Sequence, residues 1–129
     1  MIVGIGLDLV KRSRFENALE RHGERFVRRI FTESEQAYSD PRKHKGLHYA
    51  GMWAIKESLV KALGTGFSHG IAWRDIEVSH DPRGKPVVTL SGKAREYADG
   101  LGVQSIFASI THDTDWSAAQ VILERTDPS

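Results

Sequence analysis

The chain opens on IVGIGLDL, an apolar run closed by a single acid, and residues 2–9 predict a strand. From Ser13 the period lengthens. Phe15, Ala18 and Leu19 have helical spacing, Ser13 with Glu16 predicts a capping box, and Gly23 predicts the helix stop. Phe26, Val27, Ile30 and Phe31 form the apolar side of a second helical stretch, and Thr32 opens a short turn or helix running to Tyr38. The polar DPRKHKG predicts a loop, and residues 47–63 predict the longest helix, ended by Gly64. Beyond it, Trp73–Ser79 and Pro86–Leu90 flank HDPRGK as one hairpin, and Gly92–Leu101 predicts a small helix closed by Gly102. Ser105–Thr111 and Ser117–Leu123 flank HDTDW as a second hairpin. Helices early and strands mostly late do not suit a doubly wound parallel sheet. They predict an α+β fold, a mainly antiparallel sheet packed with one long central helix and shorter helices.

At 129 residues the chain predicts one domain, taken as 1–125 with 126–129 as a C-terminal tail. A formal charge of +1 directs it neither to nucleic acid nor to an anionic membrane. The absence of cysteine removes disulfides and thiolate metal sites, no window approaches a membrane span, and no basic-then-apolar leader opens the chain. A cytoplasmic location is the expectation.

GIGLDL invites a dinucleotide-fingerprint reading that fails, because the third glycine would fall at Leu9 and no helix begins after Gly4. Parity is more informative. Ile2, Gly4, Gly6 and Asp8 share one face, and Val3, Ile5, Leu7 and Leu9 the other. The Gly–Gly–Asp face lacks bulk, so a second backbone, a ligand or a symmetry partner can approach it closely. Two roles stand open for it: close helix packing with Asp8 capping the following helix, or an acid held for chemistry.

In WAIKESLVKALGTG, Met52, Ile55, Leu59 and Ala62 follow helical spacing and belong to the core. Glu57 and Lys61 lie four apart in the favourable order for a surface ion pair. The same spacing also projects a carboxylate and an ammonium from one face, which suits a divalent cation and the phosphate it neutralises, with Asp8 as the second carboxylate. Gly64-Thr65-Gly66 follows a helix rather than preceding one, which weakens it as a phosphate cradle. His112 ends the apolar strand of SITHD, where it either meets solvent or contacts a phosphate or base, and no histidine spacing suggests zinc. Residues 11–29 carry seven basic and three acidic side chains, a local +4, with Phe15 and Phe26 interleaved. That excess fits either a solvated helix face or an acidic macromolecular partner.

In order along the chain stand GIGLDLV, a basic stretch ending in RRIFTESE, WAIKESLVKALGTG, DIEV with GKPVVTLSG, and SITHDTDWSAAQVILE. Together they resemble the holo-[acyl-carrier-protein] synthase family of 4′-phosphopantetheinyl transferases, over roughly residues 1–125. The resemblance implies that family's fold and its Mg²⁺-dependent transfer of the 4′-phosphopantetheine of coenzyme A to a serine of apo-acyl carrier protein, releasing adenosine 3′,5′-bisphosphate. It implies Asp8 and Glu57 as magnesium ligands, Lys61 at the phosphates of coenzyme A, and Gly64, Thr65, Gly66 and His112 around the nucleotide. It implies Glu57 and Lys61 as the catalytic pair, with the identity of the general base open. Arg14, Arg25 and Arg29 would meet the acidic carrier protein, and a homotrimer would place active sites between subunits.

One departure is visible. The family usually carries an arginine just before the aromatic of the central motif, where GMWAIKES has Met52. If that arginine holds a phosphate, this chain either binds coenzyme A more weakly or borrows Lys43, His44 or Lys45. Two other readings compete: a non-catalytic oligomeric module gripping an acidic partner through 11–29, and a degenerate family member without coenzyme A affinity.

Overall fold

The computed structural model describes residues 1–126. Its first strand, β1 (Ile2–Lys11), pairs antiparallel with the last, β5 (Trp116–Glu124), which pairs antiparallel with β4 (Ser105–His112), giving the order β1-β5-β4. The longest unbroken helix, α3 (Lys45–Leu63), lies across one face of this sheet. Gly4 and Gly6 make that possible. A Cβ on Gly6 would stand 1.7 Å from the carbonyl oxygen of Ser58, and one on Gly4 2.0 Å from that of Ala62. Of the visitors the bare face could admit, the one present is therefore the α3 backbone. Ser58 Oγ fixes the contact by donating to the Ala119 carbonyl of β5 at 3.0 Å. Gly6→Ala must lift α3 off the sheet, with an expected loss of about 3 kcal/mol. A denaturant melt matching wild type would contradict this packing.

The remaining elements wrap α3. α1 (Arg12–Ile30) is interrupted at Gly23, whose φ of 59° and ψ of −144° separate two helical arms, as the sequence predicts. Its start differs from expectation. The helix begins at Arg12 with Lys11 as an uncapped N-cap, Ser13 lies inside it, and Glu16 pairs with Arg12 at 2.9 Å rather than closing a capping box. The box predicted at Ser13 is found instead at Thr32, where Glu35 closes it ahead of α2 (Glu33–Ser39). Gly64 ends α3 in the left-handed conformation at φ 81°.

A 3₁₀ turn at Trp73–Asp75 precedes β2 (Ile76–His80), so the strand expected from Trp73 starts three residues later. β2 pairs with β3 (Pro86–Leu90), and α4 (Gly92–Gly100) leads into β4. The core lies between α3 and the sheet, with Met52, Ile55, Leu59 and Ala62 buried beside Val121 and Leu123. Helices packed on antiparallel sheets make this the α+β fold expected. Of the expected tail, Thr126 donates its N–H to Gln104 Oε1, and 127–129 lie outside the described residues.

Among the described residues, no layer covers the second face of the β1-β5-β4 sheet. Ile5, Leu7 and Leu9 are each about 60% exposed, in register with Ile122, Gln120 and Ala118 of β5, and Phe107 of β4 extends the patch beyond Ile122. A sheet this apolar on its open side is unusual for an isolated subunit.

Candidate active site

Three predicted residues meet where β1 crosses α3. Asp8 follows Gly6 on the helix-facing side of the strand, and Glu57 and Lys61 project one turn apart from α3. The simple surface pair between Glu57 and Lys61 is not what forms. Lys61 Nζ reaches across to Asp8 Oδ1 at 3.1 Å and to the Leu7 carbonyl at 3.0 Å. Asp8 therefore does not cap α1; it belongs to a cluster with the helix residues.

The electrostatics of the cluster are unbalanced. Glu57 is raised above its ordinary value by burial first and by the negative charge of Asp8 second, with Lys61 pulling the other way. Two carboxylates thus face one ammonium, which Asp8 and the Leu7 carbonyl already engage. Asp8 Oδ2 is buried with no hydrogen-bond partner among the described residues. A partially buried, uncompensated pair of hard oxygen donors is the environment that a small divalent cation satisfies, and Mg²⁺ needs no more than one or two protein carboxylates. Asp8 and Glu57 fit that group.

The other predicted residues lie apart. The Thr65 and Gly66 N–H groups donate to the Val60 carbonyl at 3.1 and 3.2 Å, closing the end of α3, so they are engaged before any phosphate arrives. His112, exposed at the end of β4, is separated from β1 by the whole of β5, about 10 Å across the sheet. It lines a cavity with His48 and Met52. Met52 is buried and accepts a contact from Ser39 Oγ at its sulfur, so it has become core. Arg14, Arg25 and Arg29 are exposed on α1, whereas Arg12 and Arg28 pair with Glu16 and Glu24 one turn away.

Sequence reasoning missed the residue beside Glu57. Lys56 is fully buried, and its ammonium meets Glu35 Oε1 at 2.8 Å, the Ile76 carbonyl at 2.5 Å and the Trp73 carbonyl at 3.1 Å. Glu35 in turn accepts from the N–H groups of Thr32 and Val78. One ion pair thereby ties α2, α3 and the start of β2 together. Burial pushes Lys56 below its ordinary value, and the adjacent carboxylate opposes that. The signal was present, because Lys56 falls on the stripe of Met52, Ile55 and Leu59.

A family model described as the 4′-phosphopantetheinyl transferase superfamily matches residues 4–121. The chain belongs to this superfamily. Among superfamily members, the holo-[acyl-carrier-protein] synthase of Solibacter usitatus is 45% identical over 124 residues, covering 96% of this chain and 99% of its own. The crystal structure of the Neisseria meningitidis synthase superposes with a TM-score of 0.88 at 30% identity, covering 97% of this chain and 100% of that one. The Helicobacter pylori synthase, solved in complex with coenzyme A, gives a TM-score of 0.82 at 34% identity, covering 93% and 99%. As superfamily members these proteins agree with the α+β expectation and with the resemblance carried by the motifs.

Proposed function

We propose that this chain is a holo-[acyl-carrier-protein] synthase, transferring 4′-phosphopantetheine from coenzyme A to a serine of apo-acyl carrier protein. The observation that carries the reading to this chain's own residues is the cluster of Asp8, Glu57 and Lys61 on one face of α3. In the reaction the serine oxygen attacks the phosphorus that bears the pantetheine arm. The bond to the bridging oxygen breaks, adenosine 3′,5′-bisphosphate leaves, and the serine proton passes to a base. Negative charge grows on the phosphate oxygens, so stabilisation must come from fixed positive groups.

Lys61 supplies one. Two of its N–H groups are held by Asp8 and Leu7, which aims the ammonium and leaves one N–H for a phosphate oxygen. Asp8 and Glu57 would hold Mg²⁺, which when bound neutralises diphosphate oxygens and improves the leaving group. Glu57, raised by burial and by Asp8, has the residue type of a base for the serine proton; its metal-holding role is the one the unpartnered Asp8 oxygen supports more directly. Gly64, Thr65 and Gly66 would shape the nucleotide side through the path of the backbone, not as free donors. Arg14, Arg25 and Arg29 would meet the acidic carrier protein, and residues 1–125 act as one domain. The alternative of a non-catalytic module leaves the carboxylate pair without a purpose. No helix among the described residues is long and apolar enough to cross a membrane, in keeping with the cytoplasmic location we propose.

The open apolar sheet face supports a homotrimer. Its subunits would cover Ile5, Leu7, Leu9 and Phe107, and one subunit's His112 edge would complete the neighbour's Asp8 edge. Leu7→Glu is expected to give monomers in sedimentation analysis and to lose activity; a variant still trimeric and active would remove this interface. The reading as a whole is tested by chromatography of the nucleotides. Coenzyme A should convert to adenosine 3′,5′-bisphosphate only when apo-carrier protein is present, and no conversion with any of several carrier proteins would overturn it.

A further inference from the structure

A second cluster, built by other residues, lies at the His112 end of the sheet. His48 of α3, His80 at the end of β2 and His112 of β4 line one cavity of about 180 Å³, together with Tyr38, Met52 and Pro86. Among the described residues no carboxylate lines it. Arg42 stands over the Tyr38 ring at 3.5 Å, and His80 stacks on the same ring with centroids 4.1 Å apart and planes 9° from parallel. His48 lies edge-on to Tyr38 at 5.8 Å. His80 Nδ1 is buried without a hydrogen-bond partner among the described residues. His48 stands one turn before Met52, the position where the family's arginine is missing.

We propose that His48, His80 and His112 form a phosphomonoester pocket in which His48 and His80 take up protons with the ligand and so supply positive charge, in place of a permanent guanidinium at position 52. The inference rests on the transferase reading, because coenzyme A brings the phosphomonoester on its ribose. Empty, the pocket resists charging. Burial lowers His48, and Arg42, His112, His80 and His44 add to that; burial and Arg42 lower His80 while Asp81 alone opposes. Two imidazoles held neutral beside one guanidinium, with Asp81 the only opposing charge at His80 among the described residues, make a site that an incoming dianion reverses. An opposite charge within about 4–6 Å favours the protonated imidazole. At pH 7.5 binding should then take up about 0.5–1 proton, and affinity should weaken about 3–10-fold per pH unit from 7 to 8. The ligand alone predicts the opposite sign. Its phosphate, with a second ionisation near about pH 6, releases a small amount of proton on binding as the dianion.

The test is calorimetry of the full chain at pH 7.5 in buffers of different ionisation enthalpy. The titrants are coenzyme A and dephospho-coenzyme A, which lacks the phosphomonoester. Proton uptake is expected with coenzyme A, none with dephospho-coenzyme A, and a reduced uptake in His48→Gln and in His48→Gln with His80→Gln. Equal uptake with both ligands overturns the assignment, as does proton release, or wild-type uptake in a folded double variant. The comparison of the two ligands needs no variant, so a misfolded protein cannot obscure it. Coenzyme A binding without uptake removes this pocket and leaves the transferase standing; absence of binding at every pH removes both.

Discussion

Asp8→Asn should lower phosphopantetheine transfer about 10³-fold without weakening the fold. The amide keeps an oxygen for Lys61 but loses the charge that, with Glu57, makes the cluster a cation site. The stability side follows from Glu57. A carboxyl raised in the folded state is most favourable to folding when protonated, so wild-type protein without metal loses stability as pH climbs from the ordinary value of 4.5 through the raised one. Asp8 is the second cause of that elevation, so the variant loses less. Mg²⁺ should stabilise wild type at pH 8, by about 2.7 kcal/mol at a hundredfold excess over its dissociation constant. It should do little once Glu57 is protonated, and little to Asp8→Asn at any pH. Melting curves with and without Mg²⁺ at two pH values check this. Equal Mg²⁺ shifts in wild type and variant would place the metal elsewhere.

The second large effect is on stability. Lys56→Met removes the only cation within 4 Å of Glu35 among the described residues and leaves a fully buried carboxylate. Breaking such a pair from one side costs about 3–5 kcal/mol. Adding Glu35→Gln should recover part of it. A neutral amide oxygen can still accept from Val78 or Thr32, and no buried charge remains. Chemical denaturation of both variants measures the two quantities. A single variant as stable as wild type, or a double variant no better than the single, would show that the ammonium does not hold this junction.

Much of the fold was legible because its signals were local. Gly23, Thr32, Gly64 and the two turn sequences HDPRGK and HDTDW punctuate the chain where elements end. The errors were local too. Ser13 with Glu16 imitates a capping box, yet the chain enters α1 directly from β1 and Arg12 claims the glutamate. Trp73 looks like strand but is turned back, with its carbonyl held by Lys56. In the site, parity placed Asp8 on the right face and helical spacing paired Glu57 with Lys61, but only the register of β1 under α3 brings them together. The pairing of Lys56 with Glu35, and the grouping of His48 and His80 with His112, escaped because the partners come from separate elements and no sequence period links them.

The most direct measurement is the intact mass of an apo-acyl carrier protein after incubation with coenzyme A and Mg²⁺, with wild-type enzyme beside Asp8→Asn. Wild type should add one phosphopantetheine-sized mass to the carrier, and the variant should add none in the same time. A carrier left unmodified by wild type, or modified equally fast by Asp8→Asn, would contradict a transferase centred on Asp8, Glu57 and Lys61.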